Sequence, residues 1–191
     1  MSIKLYGFAV GLIVLLLPFL ARAQFDKATV WAKDGYRYYK IADGGVAEFD
    51  VRNAKKKTVI VSKEALAPIG YKPVRFTITS DSKKLLINTN TQKVWRYDTR
   101  GDYWVYNVAA KTLKQIGKDK PASSLMFAKF SPDGSKVAYV SGHNIYVDDM
   151  VTNTTKALTT DDTQTLINGT FDWAYEEEFG LRDGFRWSPD G

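Results

Sequence analysis

The sequence predicts an all-β fold, a partial β-propeller of about three four-stranded blades plus the start of a fourth, preceded by a signal peptide. Three observations predict it. A motif recurs: "FTITSDSKKLLINT" begins at Phe76, "FAKFSPDGSKVAYVS" at Phe127 and "FRWSPDG" at Phe185. Each complete copy reads as a short strand, a tight Asp-Gly type turn and a second strand of β-branched and aromatic residues. The copies recur at intervals of 51 and 58 residues, and four short strands at such intervals are the pattern of propeller blades.

The elements follow in order. Residues 1–23 hold Lys4, an apolar run from Leu5 to Leu20 and an Ala21-Arg22-Ala23 cleavage pattern before Gln24, the form of a signal peptide. An uncleaved membrane anchor is the alternative, the run being close to the minimum of about 17 residues for a spanning helix. Residues 24–191 are then the propeller segment. A diverged first blade, roughly 28–70, contains "YRYYKI", "GVAEFDV" and "KTVIVS". The second, 71–120, adds "YWVYNV" and "KTLKQIG" to its hairpin, and the third, 121–184, adds "NIYVDD" and "TKALTT". The longer second interval implies an insertion of roughly ten residues in the third blade, around "DWAYEEEFG" at 172–180. A propeller closes with about four to eight blades, so the chain reads as a fragment.

Composition excludes several functions. The signal segment carries Lys4 and Arg22 and no acid, so its removal takes the formal charge from +6 to +4. The lysines are scattered except for Lys55, Lys56 and Lys57, a run that reads as a solvated turn rather than a nucleic-acid surface. With no cysteine and one histidine there is no disulfide, thiol nucleophile or metal cluster to expect, and no cofactor. His143, in "SGHN", reads as a turn residue. Asn153 and Asn168 begin sequons, which matter only in a secretory pathway that glycosylates. No G-x-S-x-G occurs anywhere, so the chain holds no nucleophile elbow for serine-hydrolase chemistry.

The three consecutive acids Glu176, Glu177 and Glu178 lie among aromatic residues. A solvated acidic turn is the simple reading. The alternative is a cation site, since clustered carboxylates repel each other and a bound cation relieves that repulsion. Neighbouring side chains on a strand point to opposite faces, so two of these acids can share one cation only on a turn or helix.

The segment "NGTFDWAYEEEFGLRDGFRWSPDG" (168–191) closely resembles the glutamate-motif segment of the dipeptidyl peptidase IV family. "KVWRYDTRGDYWVYNV" (93–108) resembles that family's arginine-bearing segment, and "WAKDGYRYY" (31–39) its first blade. The resemblance implies an eight-bladed propeller capping an α/β-hydrolase domain, in a serine exopeptidase that removes N-terminal dipeptides, often with proline or alanine second. It places the substrate-binding glutamates on Glu177 and Glu178 and the substrate-orienting arginine on Arg96. Tyr175, Trp173, Asp172 and Trp95 become candidates for the surrounding shell. The carboxylates would accept charge-assisted hydrogen bonds from a peptide's free ammonium, and Arg96 would contact a backbone carbonyl. Without the resemblance, Arg96 is equally a surface partner of Asp98 or Asp102, or stacked on Trp95.

The expected partners are peptides with a free N-terminus and a C-terminal hydrolase domain, with a homodimer of the full-length protein open and no nucleic acid. The expected location is periplasmic or secreted. A non-catalytic exported propeller that binds peptides or proteins is the second reading. An endopeptidase or acyl-peptide specificity is a third, against which the glutamate motif argues because those substrates carry no ammonium.

Overall fold

The repeated Ser-x-Asp-Gly pattern closes the same turn each time it occurs. In the computed structural model, which describes residues 29–191, Gly134 N–H donates to the Ser131 carbonyl at 2.9 Å. Ser131 Oγ and the Ser135 N–H both donate to Asp133 Oδ1, at 2.6 and 2.9 Å. Thr79, Asp81 and Lys83 repeat these contacts, and Gly191 N–H reaches the Ser188 carbonyl at 3.1 Å. The aspartate therefore organises the loop by capping its own neighbours. Gly134 takes φ 67°, a left-handed value glycine reaches without a Cβ clash. Pairing of Val137 with Phe130 leaves a wider loop than a two-residue hairpin turn. The proposed signal peptide, residues 1–23, lies outside the described residues.

Twelve strands follow. β1 (Val30–Trp31), β2 (Arg37–Ala42), β3 (Gly45–Asp50) and β4 (Asn53–Val61) form one antiparallel four-stranded sheet in chain order. A short helix α1 (Lys63–Leu66) and a 3-10 turn (Ala67–Ile69) lead out of it. β5 (Arg75–Ile78), β6 (Lys84–Val94), β7 (Tyr97–Asn107) and β8 (Thr112–Ile116) form the next group. β9 (Leu125–Phe130), β10 (Lys136–Ser141), β11 (Asn144–Asp149) and β12 (Thr155–Ala157) form the third.

The second and third groups are joined, which the repeat alone does not predict. β6 and β7 run eleven residues each, and the far end of β7 pairs Arg100 with Met126 and Gly101 with Leu125 of β9. The overlong hairpin thus makes one eight-stranded sheet of two repeats. The crossing is tight: a Cβ on Gly101 would lie 2.9 Å from the Thr89 carbonyl oxygen. The segment from Phe185 is not in a strand. Trp187 Nε1 instead donates to the Lys129 carbonyl at 3.2 Å.

The inner strand β6 serves two cores. Leu85 and Ile87 of β6 pack with Val46, Val61, Phe76 and Tyr106. Leu86, pointing the other way, packs with Val105, Ile116, Val137 and Tyr139. A strand alternates its side chains between faces, and both faces of this one are covered, hence the unbroken "LLI". Asp148 adds a polar tie between groups. It accepts from Tyr139 Oη (3.0 Å), Thr155 Oγ1 (2.7 Å) and the Gly117 N–H at the end of β8 (2.9 Å).

Candidate functional site

The acidic run is carried by a helix whose two feet are clamped together. Gly184 N–H donates to the Gly169 carbonyl at 3.0 Å and Phe171 N–H to the Arg182 carbonyl at 3.3 Å, around a Thr170–Asp183 bridge. Between these feet runs α2 (Trp173–Phe179). Asp172 is its N-cap, accepting from Tyr175 N–H at 3.0 Å, which satisfies one of the donors every helix start leaves unpaired. Gly180, with φ 65°, ends it in the left-handed conformation that terminates many helices.

The helix reverses the usual arrangement, turning aromatic rings outward and Glu176 inward. Phe171, Tyr175 and Phe179, four residues apart, meet in succession at 5.4 and 5.6 Å, the first pair stacked and the second tilted, the spacing that aligns side chains on one face. Trp173, Tyr175 and Phe179 are exposed, while Glu176 is buried to 6% exposure. Buried charges are the informative exceptions in a fold. Glu176 Oε1 has no hydrogen-bond partner among the described residues. It faces a cavity of about 120 Å³ that Arg182, Thr99, His143 and Phe127 also line.

Arg96 comes from the opposite side. Val94 pairs with Tyr97, so Trp95 and Arg96 are the two residues of the β6–β7 turn. Trp95 sits at φ 55°, where a bulky residue is a genuine outlier, and this strained turn projects Arg96 toward the helix. Arg96 Nε lies 2.6 Å from Glu177 Oε1, with side-chain exposures of 70% and 9%. The N–H is not aligned for a hydrogen bond, so the contact is an ion pair by proximity. With Arg96 largely exposed, water can solvate its guanidinium when a cationic ligand takes its place beside Glu177. Among the described residues Arg96 forms an ion pair with neither Asp98 nor Asp102. The buried Asp102 carboxylate takes Asn90 Nδ2 (2.7 Å) and Ser123 N–H (2.6 Å) instead.

The predicted residues therefore fall into three situations. Arg96 and Glu177 meet. Glu178 is exposed on the next helical position and makes no ion pair among the described residues; successive helical residues turn by about 100°, so it flanks Glu177 rather than opposing it. Tyr175, Trp173 and Trp95 are exposed around the site, and Asp172 acts through the helix start. His143 occupies the β10–β11 turn, its Nδ1 3.0 Å from the Thr163 carbonyl. Among the described residues no group of three His, Asp or Glu side chains could hold a metal ion. Sequence reasoning passed over Arg182, Arg75 and Arg186, which line an adjoining cavity of about 350 Å³. Isolated arginines carry no spacing signal, and only folding gathers these.

A model of the dipeptidyl peptidase IV (DPP IV) N-terminal region matches residues 79–191. The probable dipeptidyl-aminopeptidase B of Trichophyton verrucosum is 30% identical over 172 residues, covering 83% of this chain and 19% of that protein. Dipeptidyl aminopeptidase B of Saccharomyces cerevisiae is 38% identical over 117 residues, 60% of this chain and 14% of the relative. The chain thus spans less than a fifth of the length of these relatives. In fold, it superposes on the crystal structure of Porphyromonas gingivalis dipeptidyl peptidase 4 with a TM-score of 0.74 at 24% identity, covering 83% of this chain and 23% of that one. The architecture is that of a partial β-propeller, and the chain belongs to the dipeptidyl peptidase IV family, matching its N-terminal region.

Proposed function

We propose that this chain is the substrate-amine-recognising part of an exported serine-type dipeptidyl peptidase, whose hydrolase domain lies outside these residues. Glu177 and Glu178 accept hydrogen bonds from the peptide's free ammonium, and Arg96 donates to a backbone carbonyl of the same dipeptide. The observation that carries this reading is the Arg96–Glu177 contact at 2.6 Å. It supports a single site because the two residues come from different repeats, and no local structural need brings them together. A helix that buries Glu176, holds Glu177 beside Arg96 and exposes its aromatic rings is a second support, because a surface helix with only a solvated role buries its aromatic face instead.

The chemistry gives exopeptidase selectivity directly. A protonated amine offers three donors to the carboxylates, whereas an N-acylated or internal segment offers a neutral amide and no charge. Arg96, ion-paired and largely exposed, can swing between Glu177 and a carbonyl acceptor. The chain holds no G-x-S-x-G, so cleavage belongs to the separate hydrolase domain and the propeller segment measures the distance from the N-terminus to the scissile bond.

Glu177→Gln and Glu178→Gln in the full-length protein test the reading. Each removes a charge-assisted bond worth about 1.5–3 kcal/mol, a loss of roughly ten- to a hundredfold in kcat/KM toward dipeptidyl substrates with free N-termini. Wild-type turnover by either variant would overturn the assignment of that residue.

A further inference from the structure

Beside the carboxylates lies a concentration of positive charge that amine recognition does not use. The cavity of about 350 Å³ is lined by Arg75, Arg182 and Arg186, with Asp98, Asp183 and Gly180. Asp183 is already engaged, by Lys129 Nζ at 2.5 Å and Arg186 Nη1 at 3.1 Å. Arg75 donates only to neutral acceptors, Asn88 Oδ1 and the Asp98 carbonyl. The Arg182 guanidinium lies 4.0 Å from the centre of the Tyr97 ring and, like Arg75, has no carboxylate within ion-pair distance among the described residues. Three arginines thus line the cavity with two aspartates, one of which, Asp183, is already shared by Arg186 and Lys129. A positively charged, partly buried cavity with guanidinium forks at its wall suits a carboxylate, which arginine receives in two parallel hydrogen bonds.

Its position identifies the source of that carboxylate. Gly180 lines the cavity and follows Glu178 by two residues, so their Cα atoms are no more than about 7 Å apart. Arg182 lines both this cavity and the one that holds Glu176. The β9 residue Phe127, at φ 56°, lies on both walls too, beside a register shift in the β9–β10 ladder of the kind that re-aims side chains next to sites.

We infer that this arginine-lined cavity is a specificity subsite that takes the side-chain carboxylate of an acidic first residue, aspartate or glutamate, of the bound peptide. The inference rests on Glu177 and Glu178 receiving that residue's ammonium. The first residue's side chain branches from the same carbon as its amine, so a cavity adjoining the acidic helix is within its reach. The acidic substrate would otherwise be repelled by the three glutamates, and the arginines supply the compensating field.

The test compares full-length protein on chromogenic Asp-Pro and Asn-Pro substrates, a pair that differs in charge and hardly in shape. The expected kcat/KM ratio favours Asp by on the order of tenfold, the size of one charge-assisted pairing. Arg182→Gln and Arg186→Gln should each bring the ratio toward one; the Arg186 side chain is 70% exposed, so its replacement is compatible with folding. Sodium phosphate is the second probe. Competition by phosphate against Asp-Pro but not Asn-Pro supports the subsite, whereas phosphate competition with no Asp preference would assign the cavity to a free anion and overturn the inference. A wild-type ratio of one or less, or an unchanged ratio in both arginine variants, would also overturn it. The Asp to Asn ratio is read independently of Glu177→Gln, so failure of the amine reading and failure of the subsite remain distinguishable.

Discussion

Replacing Asp148 with alanine should loosen the seam between the two groups of strands that hold Arg96 and the acidic helix. The carboxylate is 6% exposed and accepts three hydrogen bonds. Two of the donors have no access to replacement water: Tyr139 is fully buried and Gly117 is buried, whereas Thr155 is exposed and can rehydrate. Burial first, and the Asp148 charge second, hold the Tyr139 phenol far above its ordinary range, so it remains a donor at every working pH. A hydrogen bond to a charged group contributes about 1.5–3 kcal/mol, so two orphaned donors cost about 3–6 kcal/mol. Each 1.4 kcal/mol is about a factor of ten, which corresponds to roughly a hundred- to ten-thousandfold faster amide exchange where local opening governs it. Hydrogen–deuterium exchange of the full-length protein reads this in peptides covering β8, β10 and β11. Asp148→Asn keeps the acceptor toward Tyr139 and Thr155 and sets an amide against Gly117 N–H, so its effect should be intermediate. Exchange in Asp148→Ala within about fivefold of wild type would refute the reasoning, since that is under about 1 kcal/mol.

Two further predictions concern the site helix and acid stability. Asp172→Ala removes the N-cap of α2 at about 1 kcal/mol, so exchange across residues 173–179 should rise about fivefold and KM should rise with it; serine at this position should restore both, and an unchanged KM would separate the cap from the site. Asp50 is brought down to about 2, first by the Arg52 side chain and then by the Arg52 N–H, through contacts of 2.9 and 2.8 Å. A depressed carboxyl contributes fully above its unfolded value of about 4 and loses that contribution as pH falls through about 2. The stability difference between wild type and Asp50→Asn should therefore be present at about pH 5 and fade toward about pH 2, as read from urea midpoints at each pH; a difference independent of pH would contradict it.

Much of the architecture was legible because it depends on local rules. The hairpin of β9 and β10 is visible in "FAKFSPDGSKVAYVS" since Ser131, Asp133 and Gly134 make their turn contacts with one another. The second strand of that repeat was likewise visible in the apolar run of "KKLLINT", though its burial on both faces emerged only with the fold. The pairing of β7 with β9 was not legible, because it depends on how far an eleven-residue hairpin overshoots its own repeat before meeting Met126. Nor was the quiet exposure of Glu178 beside the buried Glu176, since three identical side chains carry no mark of which will face the protein.

The sequence by itself determined the repeat, the turns, the strand faces and the motif that placed Arg96 and the glutamates under suspicion of one role. Those properties follow from backbone periodicity and from neighbours a few residues apart. Only the tertiary structure decided that Arg96 lies 2.6 Å from Glu177, that Glu176 turns into a cavity, and that Arg75, Arg182 and Arg186 share another. Charges from separate repeats interact through space at distances set by how the sheets pack, and no local pattern encodes that distance.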